Sequence, residues 1–110
     1  MAKKKLDLSD IEHVGSFMVD SGQAIIGDPS YLDEWNPNIN DDFEPERYAG
    51  EYGYLGACQA TLSEAGAGTI GMSSAVAVST GWGDGVYPVY VKRGEGDRIM
   101  QVIIDFEGVI

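Results

Sequence analysis

Apolar side chains along this chain recur at alternate positions in short runs separated by glycine-rich or polar turns, the period of half-buried strands rather than of helices. The alternation is cleanest over Arg98–Phe106, where Met100, Val102, Ile104 and Phe106 share one face while Gln101 and Asp105 take the other. Five further strands are predicted over Ser16–Val19, Gln23–Gly27, Tyr54–Leu62, Ala75–Thr80 and Val86–Lys92. No window keeps apolar residues at helical spacing over about three turns. The pattern therefore predicts a mostly β fold, a single-domain antiparallel β-sandwich or open barrel spanning 1–110, with one or two short helical turns.

Turn residues place the connections. Ser21-Gly22 is expected to join the first two strands, with glycine supplying the positive φ of a tight hairpin. Gly94-Glu95-Gly96-Asp97 is expected to return the Val86 strand into the last one, and Pro88, which has no N–H to give a ladder, puts the Val86 strand at an edge or a bulge. Asp28-Pro29-Ser30-Tyr31 has the order of a helix start, Asp28 capping free N–H groups and Pro29 preset at the first helical position, so a short helical turn through Trp35 is predicted. Ser9-Asp10-Ile11-Glu12 has the spacing of a capping box, which Gly15 limits to one or two turns. Residues 1–10 are expected as a flexible tail, and residues 36–50, polar, acidic and broken by Pro37 and Pro45, as a long surface loop.

Charge narrows the choice of partner. With 18 acidic against 7 basic side chains in 110 residues, the formal net charge is -11, which disfavours direct binding to the phosphates of a nucleic acid. Residues 28–51 carry Asp28, Asp33, Glu34, Asp41, Asp42, Glu44, Glu46 and Glu51 against Arg47 alone, a surface that a basic protein would meet. Lys3, Lys4 and Lys5 resemble the start of a secretion signal, but Asp7, Asp10 and Glu12 fall where its apolar stretch should follow. The longest uncharged window, Ala65–Gly83, is too rich in Gly, Ser and Thr for a membrane span. A single cysteine, Cys58, excludes a disulfide within the chain, and with His13 as the one histidine no four-ligand zinc site of Cys and His can form within it. A cytoplasmic protein without a cofactor and away from membranes is expected.

Candidate chemistry is sparse. Gly66-Ala67-Gly68-Thr69-Ile70-Gly71 matches the bare G-x-G-x-x-G pattern, yet neither a buried strand before it nor a helix after it is predicted, so it reads as a flexible connection and not a dinucleotide site. The acids Asp33, Glu34, Asp41, Asp42, Glu44 and Glu46 lack EF-hand spacing and read as a solvated surface. Cys58, expected in an alternating strand, reads as a small buried thiol, and His13 lies beside the tail. With no nucleophile motif, a non-enzymatic protein is expected, and Asp20, Asp28 and Asp84 are the carboxylates left for a metal-assisted hydrolase as the alternative. The most distinctive segment is Gly81–Pro88: its glycines let a ligand approach the backbone, Trp82 and Tyr87 offer stacking faces, and Asp84 accepts hydrogen bonds. A tight turn with one aromatic anchored in the core accounts for the same residues. The predicted ligand-binding set is Ser21, Tyr31, Trp35, Trp82, Gly83, Asp84, Gly85 and Tyr87.

Two blocks, Val19-Asp20-Ser21-Gly22-Gln23-Ala24 and Gly83-Asp84-Gly85-Val86-Tyr87-Pro88-Val89-Tyr90, resemble the small bacterial and phage proteins grouped as domain of unknown function family 4241. The resemblance implies a small mostly β domain without established catalytic residues, frequent in phage or mobile genomes. The function expected is thus that of a small acidic binding protein, phage-encoded and acting in the host cytoplasm, that sequesters a nucleotide-type signalling molecule in a Gly- and aromatic-rich pocket. The alternatives are an acidic decoy for a basic protein surface and the metal-assisted hydrolase. Association into a homo-oligomer stays open.

Overall fold

The computed structural model describes residues 7–39 and 47–110. In chain order the described residues form strands β1 (Ile11–Val19) and β2 (Gln23–Gly27), one helix, α1 (Tyr54–Thr61), and strands β3 (Ala67–Ile70), β4 (Ala75–Ser79), β5 (Gly85–Arg93) and β6 (Ile99–Ile104). Short 3-10 turns occupy Pro29–Glu34 and Glu95–Asp97. The strands form two antiparallel three-stranded sheets, ordered β1-β5-β6 and β2-β4-β3, and neither closes into a barrel. The chain divides into two compact units, Met1–Met18 with Gly85–Ile110, and Val19–Asp84. Among the described residues no helix is long and apolar enough to cross a membrane.

In the Val19–Asp84 unit, β4 pairs on both sides, Ala77 standing opposite Ile25 of β2 and Gly68 of β3. Side chains alternate across a sheet, so Ile70, Ala75 and Ala77 share one face, and α1 covers it with Ala57 and Ala60. Nearly all of these side chains are small, so helix and sheet approach closely. A Cβ added to Gly68 would stand 3.3 Å from that of Ala60. On another side α1 lies against the loop before it, since a Cβ on Gly56 would collide with the Glu51 backbone. Trp35 and Tyr52 close the cluster, ring edge to face at 5.1 Å.

Three elements of this unit differ from the sequence reading. Tyr54–Leu62 is a helix rather than a strand, with Leu62 as its C-cap and Cys58 on the helix. Leu55, Gly56, Ala57 and Ala60 are all buried, so the helix lacks the one-sided apolar stripe that would have marked it. The Gly66–Gly71 segment is not a flexible connection: Ala67–Ile70 is strand β3. Its glycines have separate tasks, Gly66 and Gly71 taking positive φ at the turns and Gly68 admitting the helix. Ser21-Gly22 links β1 to β2 with Gly22 at φ +70°, but no hairpin forms, because β2 pairs with β4. The expected short helical turn is present as a 3-10 turn that Trp35 caps, Asp28 accepting from the Ser30 N–H at 2.9 Å with Pro29 first.

In the other unit, Ile11–Val19 is a strand, so the Ser9-x-x-Glu12 spacing starts no helical turn. Glu12 instead meets the Arg93 guanidinium at 3.2 Å, and Asp7 meets the Lys92 ammonium at 3.0 Å. β5 and β6 pair as predicted through the Glu95–Asp97 turn, with a register shift at Lys92/Arg93. β5 is the central strand and not an edge. Pro88 is accommodated there because it faces Asp105 at the end of the ladder: its carbonyl accepts the Asp105 N–H at 3.3 Å, and the N–H that proline lacks is the terminal bond. The Asp105 carboxylate, buried, accepts from the N–H groups of Glu107, Gly108 and Ile110 at 3.1, 3.0 and 2.9 Å and folds the chain end back on itself.

Candidate functional site

The turn before β2 and the turn after β4 meet. Asp84 Oδ1 accepts the Gly22 N–H at 3.0 Å, and the Gly22 carbonyl accepts the Thr80 N–H at 3.1 Å, so both backbone groups of Gly22 are held by the 80–84 segment. Thr80, buried, donates its hydroxyl to the Gly83 carbonyl at 2.8 Å and accepts the Trp82 N–H at 3.3 Å. Gly81 and Gly83 take positive φ, +76° and +78°, which a side chain would strain. The turn is fixed from within, and at its tip stands the Trp82 ring, 66% exposed.

Next to the turns lies the first turn of α1. Gln23 donates its amide to Cys58 Sγ at 3.5 Å and accepts the Thr61 hydroxyl at 2.7 Å, which ties β2 to the helix. Tyr54, one helical turn before Cys58, has its phenol pushed above the usual tyrosine range by the Cys58 sulfur first, then by burial, and further by the carboxylates of Asp20 and Asp84. Tyr54 thus keeps its phenol proton at physiological pH. Between Val19 and Asp84 the chain carries eleven acids against Arg47, whose guanidinium lies over the Tyr48 ring at 5.3 Å. A surface of this kind accepts hydrogen bonds from amino, amide and hydroxyl groups and repels phosphate.

The predicted site residues separate in the structure. Ser21, Trp82, Gly83 and Asp84 come together at the paired turns. Trp35 is half-buried against Tyr52 and the core cluster, and Tyr31 is exposed on the Pro29–Glu34 turn. Gly85 and Tyr87 belong to the other unit, where Tyr87 is buried with its ring 5.1 Å from Phe106 and 6.3 Å from Phe17. Sequence reasoning missed Tyr54, Gln23 and Thr61. Their signal was the four-residue step from Tyr54 to Cys58, which is meaningful on a helix and was obscured by reading that segment as a strand.

Among the described residues no three His, Cys, Asp or Glu side chains gather to hold a metal ion. Asp41, Asp42, Glu44 and Glu46, from the acidic loop, lie outside the described residues. His13, exposed on β1, stands 5.5 Å from the Tyr90 ring and 3.3 Å from the Ser16 hydroxyl.

Fold and turns define a small, mostly β protein with two short antiparallel sheets, one helix and a preorganised aromatic turn. Its sequence matches a family model over residues 2–104, that of the protein of unknown function DUF4241, and the chain belongs to this family. Neither the curated proteins nor the solved structures contain a match to it.

Proposed function

We propose that this chain is a non-catalytic binding protein that captures a small ring-bearing molecule on the Trp82 turn. The observation that carries the reading is the Asp84–Gly22 bond, which ties the turn bearing the exposed Trp82 to the turn before β2. A ring is thereby offered to solvent on a support that need not reorganise on binding. A nucleotide-type signal fits through its base, stacked on Trp82, with amino or hydroxyl groups donating to Asp20 and Asp84 and its phosphates turned away from the acidic surface. The exposed indole makes the proposed site an open platform. A phage-encoded protein that sequesters such a signal in the host cytoplasm is the biological form of this proposal.

Trp35 and Trp82 allow a direct test. In a Trp35→Phe variant the exposed Trp82 is the sole indole, and titration with purine nucleotides and cyclic dinucleotides should quench its emission. Recovery of the bound nucleotide after incubation with protein at about a tenth of its concentration should return it unaltered. More than one equivalent of altered nucleotide per protein would replace the binding reading by the hydrolase, and no quenching across the panel would sink it. A second reading, an acidic decoy for a basic protein, is favoured by the concentration of charge between Val19 and Asp84. Its mark is an affinity that falls steeply with added salt.

A further inference from the structure

Strand β6 is an outer strand of its sheet, and its six residues, Ile99-Met100-Gln101-Val102-Ile103-Ile104, contain neither a charge nor a proline. Such an edge is normally blunted, because its unpaired N–H and C=O groups are a template for another strand. The opposite edge of the same sheet, β1, is blunted by Glu12 and interrupted by Gly15. On β6, Ile99, Met100 and Val102 are each more than half exposed. The register decides which backbone groups face outward. Asp105 bonds to Pro88, so the alternate residue Ile103 also points its N–H and C=O at β5, while those of Val102 and Ile104 point away from the sheet.

Acids flank the strand, Glu95 and Asp97 before it and Glu107 after it. Arg93, opposite Ile99, lies within 4.0 Å of Asp97 and 3.2 Å of Glu12, so with Arg98 that end holds two cations against Glu12, Glu95 and Asp97. A depression of about 270 Å³ lined by Gly94, Glu95, Arg98, Ile99 and Met100 lies at the start of β6. A second copy of the chain is a poor occupant. Antiparallel self-pairing about Gln101 would set Glu95 against Glu107 of the other copy, and pairing about Val102 would set Asp97 against Glu107, so either register brings like charges together.

We propose that β6 is a docking edge for an extended segment of a partner protein, apolar at alternate positions and carrying Lys or Arg at its ends. The segment adds a strand beside β6 through the outward groups of Val102 and Ile104. One long basic side chain enters the depression, its stem on Met100 and its charge at Glu95. This edge is independent of the Trp82 turn.

The test uses the full chain and a fluorescein-labelled peptide of alternating valine and threonine with two lysines at each end. Fluorescence polarisation should show it binding at least about tenfold more tightly than the same peptide with glutamate ends, since complementary charge at the ends selects the partner. A lysine-ended peptide with prolines in place of the threonines has the same charge but cannot pair as a strand, and it should not bind. Val102→Pro, which removes an outward N–H and no bond to β5, should cost at least about tenfold in affinity. Val102→Lys serves the same purpose if the proline variant fails to fold. Glu95→Gln with Glu107→Gln should narrow the gap between the lysine and glutamate peptides. Equal binding of the proline-substituted peptide, or binding indifferent to Val102→Lys, would overturn the proposal. So would a dimer in sedimentation that Val102→Lys dissolves, because a second copy would then fill the edge.

Discussion

Trp82 and Tyr87 are five positions apart and have opposite fates. Trp82 stands mostly in solvent on a turn fixed by Thr80, so Trp82→Ala should remove nucleotide quenching and leave the thermal midpoint within a few degrees of the parent. Tyr87 is buried beside Phe17 and Phe106, and Tyr87→Ala should destabilise by about 3–5 kcal/mol in urea unfolding, the cost of an aromatic cavity. If Trp82→Ala unfolds the protein instead, the ring belongs to the core and the platform is misplaced. Gly71 shows how a single residue can be indispensable without chemistry. At φ +63°, with a Cβ set to fall 2.8 Å from that of Tyr52, Gly71→Ala should cost about 1–3 kcal/mol by the same measurement.

Among the elements, the chain end after β6 is organised by one carboxylate. Asp105 is held below the usual aspartate range, chiefly by the Ile110 N–H and further by those of Val109, Glu107 and Gly108, with burial opposing. A depressed folded pKa means that the contribution is present above the unfolded value and is lost as pH falls through the folded one. Amide protection of Gly108 and Ile110 should therefore be constant at neutral pH and decline as the solution is acidified below about pH 4. In Asp105→Asn the protection should be weaker throughout and lose that acid dependence. Protection that declines identically in both proteins would assign the acid transition to another group.

The whole molecule distributes its charge unevenly. Eleven of the 18 acids lie between Val19 and Asp84 with a single basic residue, while the remaining seven are matched by six. Self-repulsion is thus concentrated in the Val19–Asp84 unit, and moderate salt should raise its stability by screening. Hydrogen exchange of β4 amides should slow between low salt and about 0.15 M salt, where the screening length falls to about 8 Å, and amides of β5 should change less. Equal slowing in both sheets would mean that charge is not the cause.

The sequence by itself determined the mostly β class, the β5–β6 pairing through Gly94–Asp97, the capped turn at Asp28-Pro29 and the bounds of β2, because each follows from a local period or from one residue's backbone preference. It also singled out the Gly81–Asp84 turn, where glycine spacing and an aromatic are visible without a partner. What only the tertiary structure decided was α1, the pairing of β2 with β4, the central place of β5 and the meeting of Gly22 with Asp84. A stretch of Leu, Gly and Ala buried on several sides has no distinctive period, so Tyr54–Thr61 takes its form from the close sheet beside it. A proline excludes a central strand only where a ladder needs its N–H, and at Pro88 the ladder ends. The bond between residues 22 and 84 joins segments far apart in the chain, and no local pattern records which turn will lie against which.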